Sequence, residues 1–239
     1  MSNNDQKTEK QTSFYNERNA STYDQIRFSS PSGKVIDELE GLQLARSIDF
    51  LKAGSKILEI GAGTARFSID LAKRGFEVTA LEPSTAMLAK AKEKARGLQN
   101  IAFVEAPGED TGLPPNTFDL VFSTRVLNRL LTKETAIAVI EEKIRVCKPG
   151  GLISIDFASS EFLLKRPATP VVFSCQEVRD IATRNNCSVI RTNGMFILGG
   201  SFVSKLPKPL LPAWKKLEIG ISNKIVRRSS KVTMILKKQ

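Results

Sequence analysis

Two acidic residues stand where short apolar runs end. Glu59 lies within KILEI (56–60), two residues before Gly61-Ala62-Gly63, and Glu82 closes FEVTALE (76–82), nineteen residues past Gly63. Glycines let a backbone approach a ligand closely, and the amides at the start of a following helix suit an anion. A carboxylate beside such a turn holds it in place or receives an ammonium group. A carboxylate at the end of the next strand is placed to take two ribose hydroxyls. The dinucleotide fingerprint G-x-G-x-x-G would put a third glycine at position 66, which is Arg66. A pyrophosphate is also a poor neighbour for Glu59. Both features argue against a dinucleotide-binding turn.

Other chemistry is excluded by composition. The chain of 239 residues contains no histidine, so it has no Ser-His-Asp triad, no Cys-His pair, no histidine metal site and no histidine base. Cys147, Cys175 and Cys187 are odd in number and lack CxxC spacing, and they read as reduced thiols. No metal site is expected. With 41% apolar and 26% charged residues, the chain is of ordinary globular composition. No run of 18 apolar residues occurs, and MSNNDQKTEK has no apolar segment of a secretory signal. The expected compartment is the cytoplasm.

These residues need a scaffold of alternating strands and helices. Strands are expected at 56–60, 76–82, 101–106, 118–123, 152–158, 188–198 and 231–238. Helices are expected from Pro31 to about 50, and at 65–75, 84–95, 133–147 and 176–185. Ser84 is a plausible N-cap, and Pro149-Gly150-Gly151 ends the fourth of the sheet-covering helices. Such alternation means an α/β protein with a mostly parallel sheet covered on both faces. Residues 14–30 form a short helix or a closing arm. Residues 201–230 hold Pro207, Pro209 and Pro212 and form an insertion between the last two strands.

With the motifs in this order, the chain resembles a class I S-adenosylmethionine-dependent methyltransferase, closest to the ubiquinone and menaquinone type. LEIGAGTARF resembles that family's first motif and LEPSTAML its acid-ended second strand. GEDTGLPPNTFDLV resembles its adenine loop and fourth strand, and RVCKPGG its turn before strand five. The matching stretch runs from about 55 to 158. The resemblance implies a Rossmann-like seven-stranded sheet with its last strand antiparallel. It implies an N-terminal arm (1–30) and a methyltransferase domain (31–239). The cofactor half is about 55–158 and the acceptor half about 159–239, with the basic 201–230 insertion as a lid. The implied cofactor is S-adenosyl-L-methionine.

By the same resemblance, Gly61 and Gly63 pass under the cofactor's methionine part and Glu82 holds its ribose. Pro83, Ser84 and Met87 lie beside the adenine, although Met87 also reads as a core residue. Gly108 and Glu109 meet the adenine edge, where the family's usual Asp-Ala pair is missing. Ser123 faces the methionyl end. Tyr23 and Arg27 of the arm close over the cofactor, with Arg27 suited to a carboxylate. Tyr15, Arg125 and Asn128 are candidates for the acceptor. A histidine pair common after strand four is replaced here by Asn128-Arg129. No catalytic base is evident.

Net charge is +11, and residues 201–239 hold ten basic side chains against one acid, Glu218. This segment reads as a helix packed on the domain with lysines in water, as an amphipathic helix on anionic lipid, or as a lid over an acidic substrate. The expected reaction is methyl transfer to a small-molecule acceptor, lipophilic or acidic. The competing classes are RNA modification and cofactor binding without catalysis. Neither the acceptor atom nor the oligomeric state follows from the sequence.

Overall fold

The computed structural model describes residues 16–49, 51–162 and 169–239. Each of the first four strands is followed, directly or through a loop, by a return path that keeps the next strand parallel. In chain order the elements are α1 (Glu17–Phe28), α2 (Pro31–Ile48), β1 (Lys56–Ile60), α3 (Arg66–Lys73), β2 (Glu77–Leu81), α4 (Thr85–Lys94), β3 (Ile101–Val104), β4 (Phe118–Phe122), α5 (Lys133–Val146), β5 (Cys147–Ala158), α6 (Cys175–Arg184), β6 (Cys187–Met195), α7 (Gly200–Val203), α8 (Leu211–Ile221) and β7 (Lys231–Lys238). The sheet order is β3-β2-β1-β4-β5-β7-β6. β7 is antiparallel to both neighbours, and the pairs from β3 to β5 are parallel. The order reverses between β1 and β4, so the crevice beyond their C-terminal ends is where such a sheet binds ligands.

Strand alternation divides the core into two faces. Leu58, Val121, Ile153 and Ile155 pack with Val139 and Ile140 of α5 and Val178 and Ile181 of α6. Ile57, Leu120, Phe122 and Ile235 pack on the other face with Leu44 and Ile48 of α2 and Phe67 and Leu71 of α3. Helix starts are capped by hydroxyl side chains, at Ser84 as expected and at two further positions. Ser84 accepts from Met87 N, Thr132 accepts from Thr135 N, and Ser174 forms a reciprocal box with Glu177. α3 is different: its N-cap position is Ala65, in left-handed backbone (φ 58°), with no side chain to offer.

The strands begin and end within a few residues of expectation, with one difference. β5 starts at Cys147, because Pro149-Gly150-Gly151 lies inside an extended run. Of the 201–230 insertion, α8 turns Leu211 and Trp214 inward against Val35 and Leu39 of α2. Leu210 and Leu217 remain exposed. The lone acid of this region is buried: Glu218 accepts from Phe196 N (2.6 Å) and Ile197 N (3.3 Å). Burial raises its carboxyl above the usual range.

Removing that carboxylate leaves a buried and a half-buried N–H group without an acceptor. E218A is expected to cost about 2 kcal/mol in urea unfolding. A change below about 0.5 kcal/mol, the size of an ordinary surface substitution, would show that Glu218 does not tie α8 down.

Candidate functional site

The turn after β1 is built by glycine. Gly61 and Gly63 both have positive φ (70° and 58°), and Gly61 also lies where a Cβ would come within 2.4 Å of Val126 Cγ2. The turn is pinned to β2, since Gly61 N and Ala62 N both donate to Leu81 O (2.8 and 2.9 Å). It delivers the chain into α3, whose first turn is short of acceptors.

Glu59 supplies one. Its Oε2 accepts from Ser68 N (3.1 Å) and Ser68 Oγ (2.6 Å), at the third residue of α3. A strand side chain thus caps a helix that lacks its own cap. Glu59 is only 3% exposed. Burial raises its carboxyl to about 8, against the pull of the Ser68 hydrogen bonds. Glu82 follows directly after β2 and answers from the neighbouring strand. Its Oε2 accepts from Gly63 N (2.9 Å) and its Oε1 from Ser84 N (3.1 Å). Burial raises its carboxyl as well. Each carboxylate oxygen offers about two acceptor positions, so capacity for hydroxyl donors remains.

A cleft of about 360 Å³, its open mouth included, lies over this turn. Glu59, Gly61, Gly63 and Arg125 line it, with Tyr23 and Phe28 of α1. α1 is fastened there by Asp24, which accepts from Thr64 Oγ1 (2.7 Å) and pairs with Lys94. Tyr23 and Phe28 meet edge to face, and Arg27 lies 5.6 Å over the Tyr23 ring.

Several other expected residues follow the ends of β2, β3 and β4 and, like Glu82, are not part of the lining of this cleft. Ser84 and Met87 are buried, and Met87 Cε sits 3.3 Å from where a Cβ on Gly63 would be. Pro83 and Glu109 are half-buried. Gly108 presses against β1, where a Cβ would meet Ile60 Cγ2 at 2.8 Å. Ser123 is buried and accepts from Lys143 Nζ (2.8 Å). Lys143 is fully buried, and burial lowers its ammonium to about 8. Asn128 stands apart: its Oδ1 is buried with no hydrogen-bond partner among the described residues, and it lines neither this cleft nor the adjoining one. Tyr15 lies outside the described residues.

Sequence reasoning named Arg125 but missed the charged group that it joins beside the cleft. Arg66 pairs with Asp37 and Glu40 and stacks 4.4 Å over Phe28 and 3.7 Å over Phe67. Arg125 Nε approaches the same Glu40 (3.3 Å). The signal was present in α2, where Glu40, Gln43 and Ser47 recur at helical spacing and are all buried.

A family model for a methyltransferase domain matches residues 57–151. YqeM of Bacillus subtilis, a methyltransferase by name, is 29% identical over 188 residues, covering 76% of this chain and 72% of that protein. The chain belongs to the class I S-adenosylmethionine-dependent methyltransferases. A ubiquinone/menaquinone biosynthesis C-methyltransferase of Psychromonas ingrahamii is 32% identical over 117 residues, 46% of this chain and 45% of that protein. The match to that methyltransferase thus spans under half its length. A phosphoethanolamine N-methyltransferase of Haemonchus contortus, solved with S-adenosyl-L-methionine, shares the fold. Its TM-score is 0.67 at 18% identity, over 98% of this chain and 60% of that one. S-adenosyl-L-methionine is the methyl donor of this methyltransferase family.

The glycine at 61 is needed for both backbone and space, whereas Gly54 (φ 79°) has nothing within 4 Å of its Cβ position. In this methyltransferase G54A should therefore cost about 1–2 kcal/mol, for left-handed backbone alone. G61A should add about 1–3 kcal/mol for the Val126 clash. Equal losses in chemical denaturation would contradict the packing role.

Proposed function

We propose that this methyltransferase binds S-adenosyl-L-methionine in the cleft over the Gly61–Gly63 turn and moves its methyl group to a small-molecule acceptor. One observation carries the reading: two buried carboxylates, Glu59 and Glu82, flank a turn of positive-φ glycines at neighbouring strand ends. That donor set fits the ligand. The compound is an ammonium- and sulfonium-bearing nucleoside without phosphate, and a site with two acids and close backbone suits it better than a pyrophosphate.

In this reading Glu82 takes the ribose hydroxyls and Glu59 faces the ammonium group. Pro83, Ser84, Met87, Gly108 and Glu109 border the adenine, and Ser123 lies toward the methionyl end. Tyr23 and Arg27 belong to the arm that covers the site, with Arg27 toward the carboxylate. When bound, the cofactor supplies an electrophilic methyl group on an excellent leaving group. The chain's work is then alignment and exclusion of water. Phe28, Tyr23 and Phe67 put apolar rings around the cleft, which favours a transition state of dispersed charge.

The basic end of the chain has its own partner in this reading. Five of the exposed large apolar residues, Leu198, Phe202, Leu210, Leu217 and Ile219, lie within one stretch of 22 residues. Lys205, Lys208, Lys216 and Lys224 are exposed among them, while Glu218 points inward. Such a mixture suits an anionic lipid surface. Among the described residues no helix is long and apolar enough to cross a membrane. Sedimentation with anionic vesicles at low salt is expected to retain the protein, and neutral vesicles are not. Equal recovery in both supernatants would remove this partner.

Two predictions address the cofactor. E82A should weaken S-adenosylmethionine by about 2–3 kcal/mol, roughly 30- to 150-fold, in calorimetry. Unchanged affinity would overturn the ribose assignment. Glu59 holds its proton up to pH about 8, and an ammonium beside it favours the charged form. Cofactor binding at pH 7 should therefore release a proton, and affinity should rise with pH until about 8. Calorimetry in buffers of different ionisation enthalpy would detect the release, and E59Q should abolish it. Release that persists in E59Q would place the proton elsewhere.

A further inference from the structure

The sheet face turned toward α2 is apolar over β1 and β4 but turns polar along part of β5 and β7, where burial calls for apolar residues. Along β5, Ile153, Ile155 and Phe157 join the core on the α5 side, whereas the alternate positions Ser154 and Asp156 border a cavity with Glu40 and Gln43 of α2. β7 adds Lys231 and Thr233 to the same layer. Replacing a buried ionic layer by apolar residues is often neutral or stabilising, so stability alone does not account for this one. Breaks of this kind in an otherwise consistent pattern are expected at functional sites.

Asp156 is the group with capacity to spare. Its side chain is 7% exposed. Oδ2 accepts from Arg125 N (2.8 Å) and pairs with Lys231 Nζ (2.8 Å). Oδ1 is buried and has no hydrogen-bond partner among the described residues. A buried carboxylate oxygen left unpaired is costly. The arrangement is also held under strain, since Arg125 adopts a left-handed backbone (φ 61°) to bring its N–H to Asp156.

The cavity adjoins the cofactor cleft. Thr124, just past β4, lines both, and Arg125 lines the cleft while its N–H reaches Asp156. With its open side included, as for the cleft, the cavity holds about 300 Å³. Its acidic, basic and hydroxyl lining suits an amino or hydroxyl group. Lys231 also contacts Glu40 (3.2 Å), so the charges around Asp156 are compensated before any acceptor arrives.

We propose that this polar layer receives the acceptor's reacting group, and that Asp156 Oδ1 is the catalytic acceptor of its N–H or O–H. The acceptor class is a small polar amine or alcohol, and not an apolar quinol. The inference rests on the methyltransferase reading above and names the acceptor side of the same site. The nucleophile's lone pair forms the new bond to carbon, sulfur keeps the pair of the bond that breaks, and the proton shed by the nucleophile passes to Asp156 Oδ1. From there it leaves through the open mouth of the site to solvent.

The test uses the full chain with methyl-labelled S-adenosylmethionine. Glycine, ethanolamine and lactate serve as polar probes and a short-chain quinol as the apolar one. Label is expected in a polar probe. D156N should lower kcat for that probe by about 100-fold or more while cofactor affinity stays within about twofold. D156E keeps the charge but displaces the oxygen, and its kcat should fall between the two; it also serves if D156N does not fold. Label confined to the quinol, no label in any polar probe, or a D156N or D156E enzyme with undiminished kcat would each overturn the assignment. Failure of the wild-type chain to bind the cofactor at all would instead overturn the methyltransferase reading.

Discussion

The site depends on a helix that begins without a cap. Ala65 gives α3 no side-chain acceptor, and Glu59 reaches across from β1 to accept from Ser68. This one interaction forces the rest of the geometry. A carboxylate must be buried at a strand end, the chain must turn tightly enough to bring α3 back over it, and glycine takes the left-handed backbone at 61 and 63 with the least strain. Glu82 completes the arrangement by accepting from Gly63 N, so the two acids are held by the main chain they stabilise. The turn is preorganised before any ligand arrives. Its two carboxylates sit in a place where burial makes charge expensive, and in the proposed reading this favours a cationic ligand.

Much of this was legible in the sequence. The apolar runs marked the strands to within a few residues, because buried parallel strands read as short hydrophobic stretches flanked by turn residues. The helix start at Ser84 was legible because a hydroxyl cap is a local signal. Glu59 and Glu82 were legible because an acid ending an apolar run is conspicuous. The capping of α3 by Glu59 was not, since the partners are nine residues apart and the empty cap at Ala65 becomes meaningful only in three dimensions.

The charged layer under α2 was hidden for a different reason. In PSGKVIDELEGLQLARSI the apolar residues draw attention, yet Glu40 is among the most buried carboxylates and gathers Arg66, Arg125 and Lys231. Its partners come from the start of α3, the end of β4 and the start of β7, which are far apart in sequence. A carboxylate with three cations around it needs no local motif. The same holds for α8, where periodicity suggested one apolar stripe. Burial divides it, with Trp214 and Leu211 packed on α2 and Leu210 and Leu217 left outside. α2 therefore joins the three regions, since it contacts the basic segment, walls the polar layer and holds the arginine of the cofactor cleft.

The most direct measurement is a crystal structure of the chain with S-adenosylhomocysteine. The account predicts the ribose hydroxyls within hydrogen-bond distance of Glu82, the amino group near Glu59, and the backbone of Gly61 and Gly63 against the homocysteine part. A ligand bound away from these carboxylates, or none bound at saturating concentration, would contradict it.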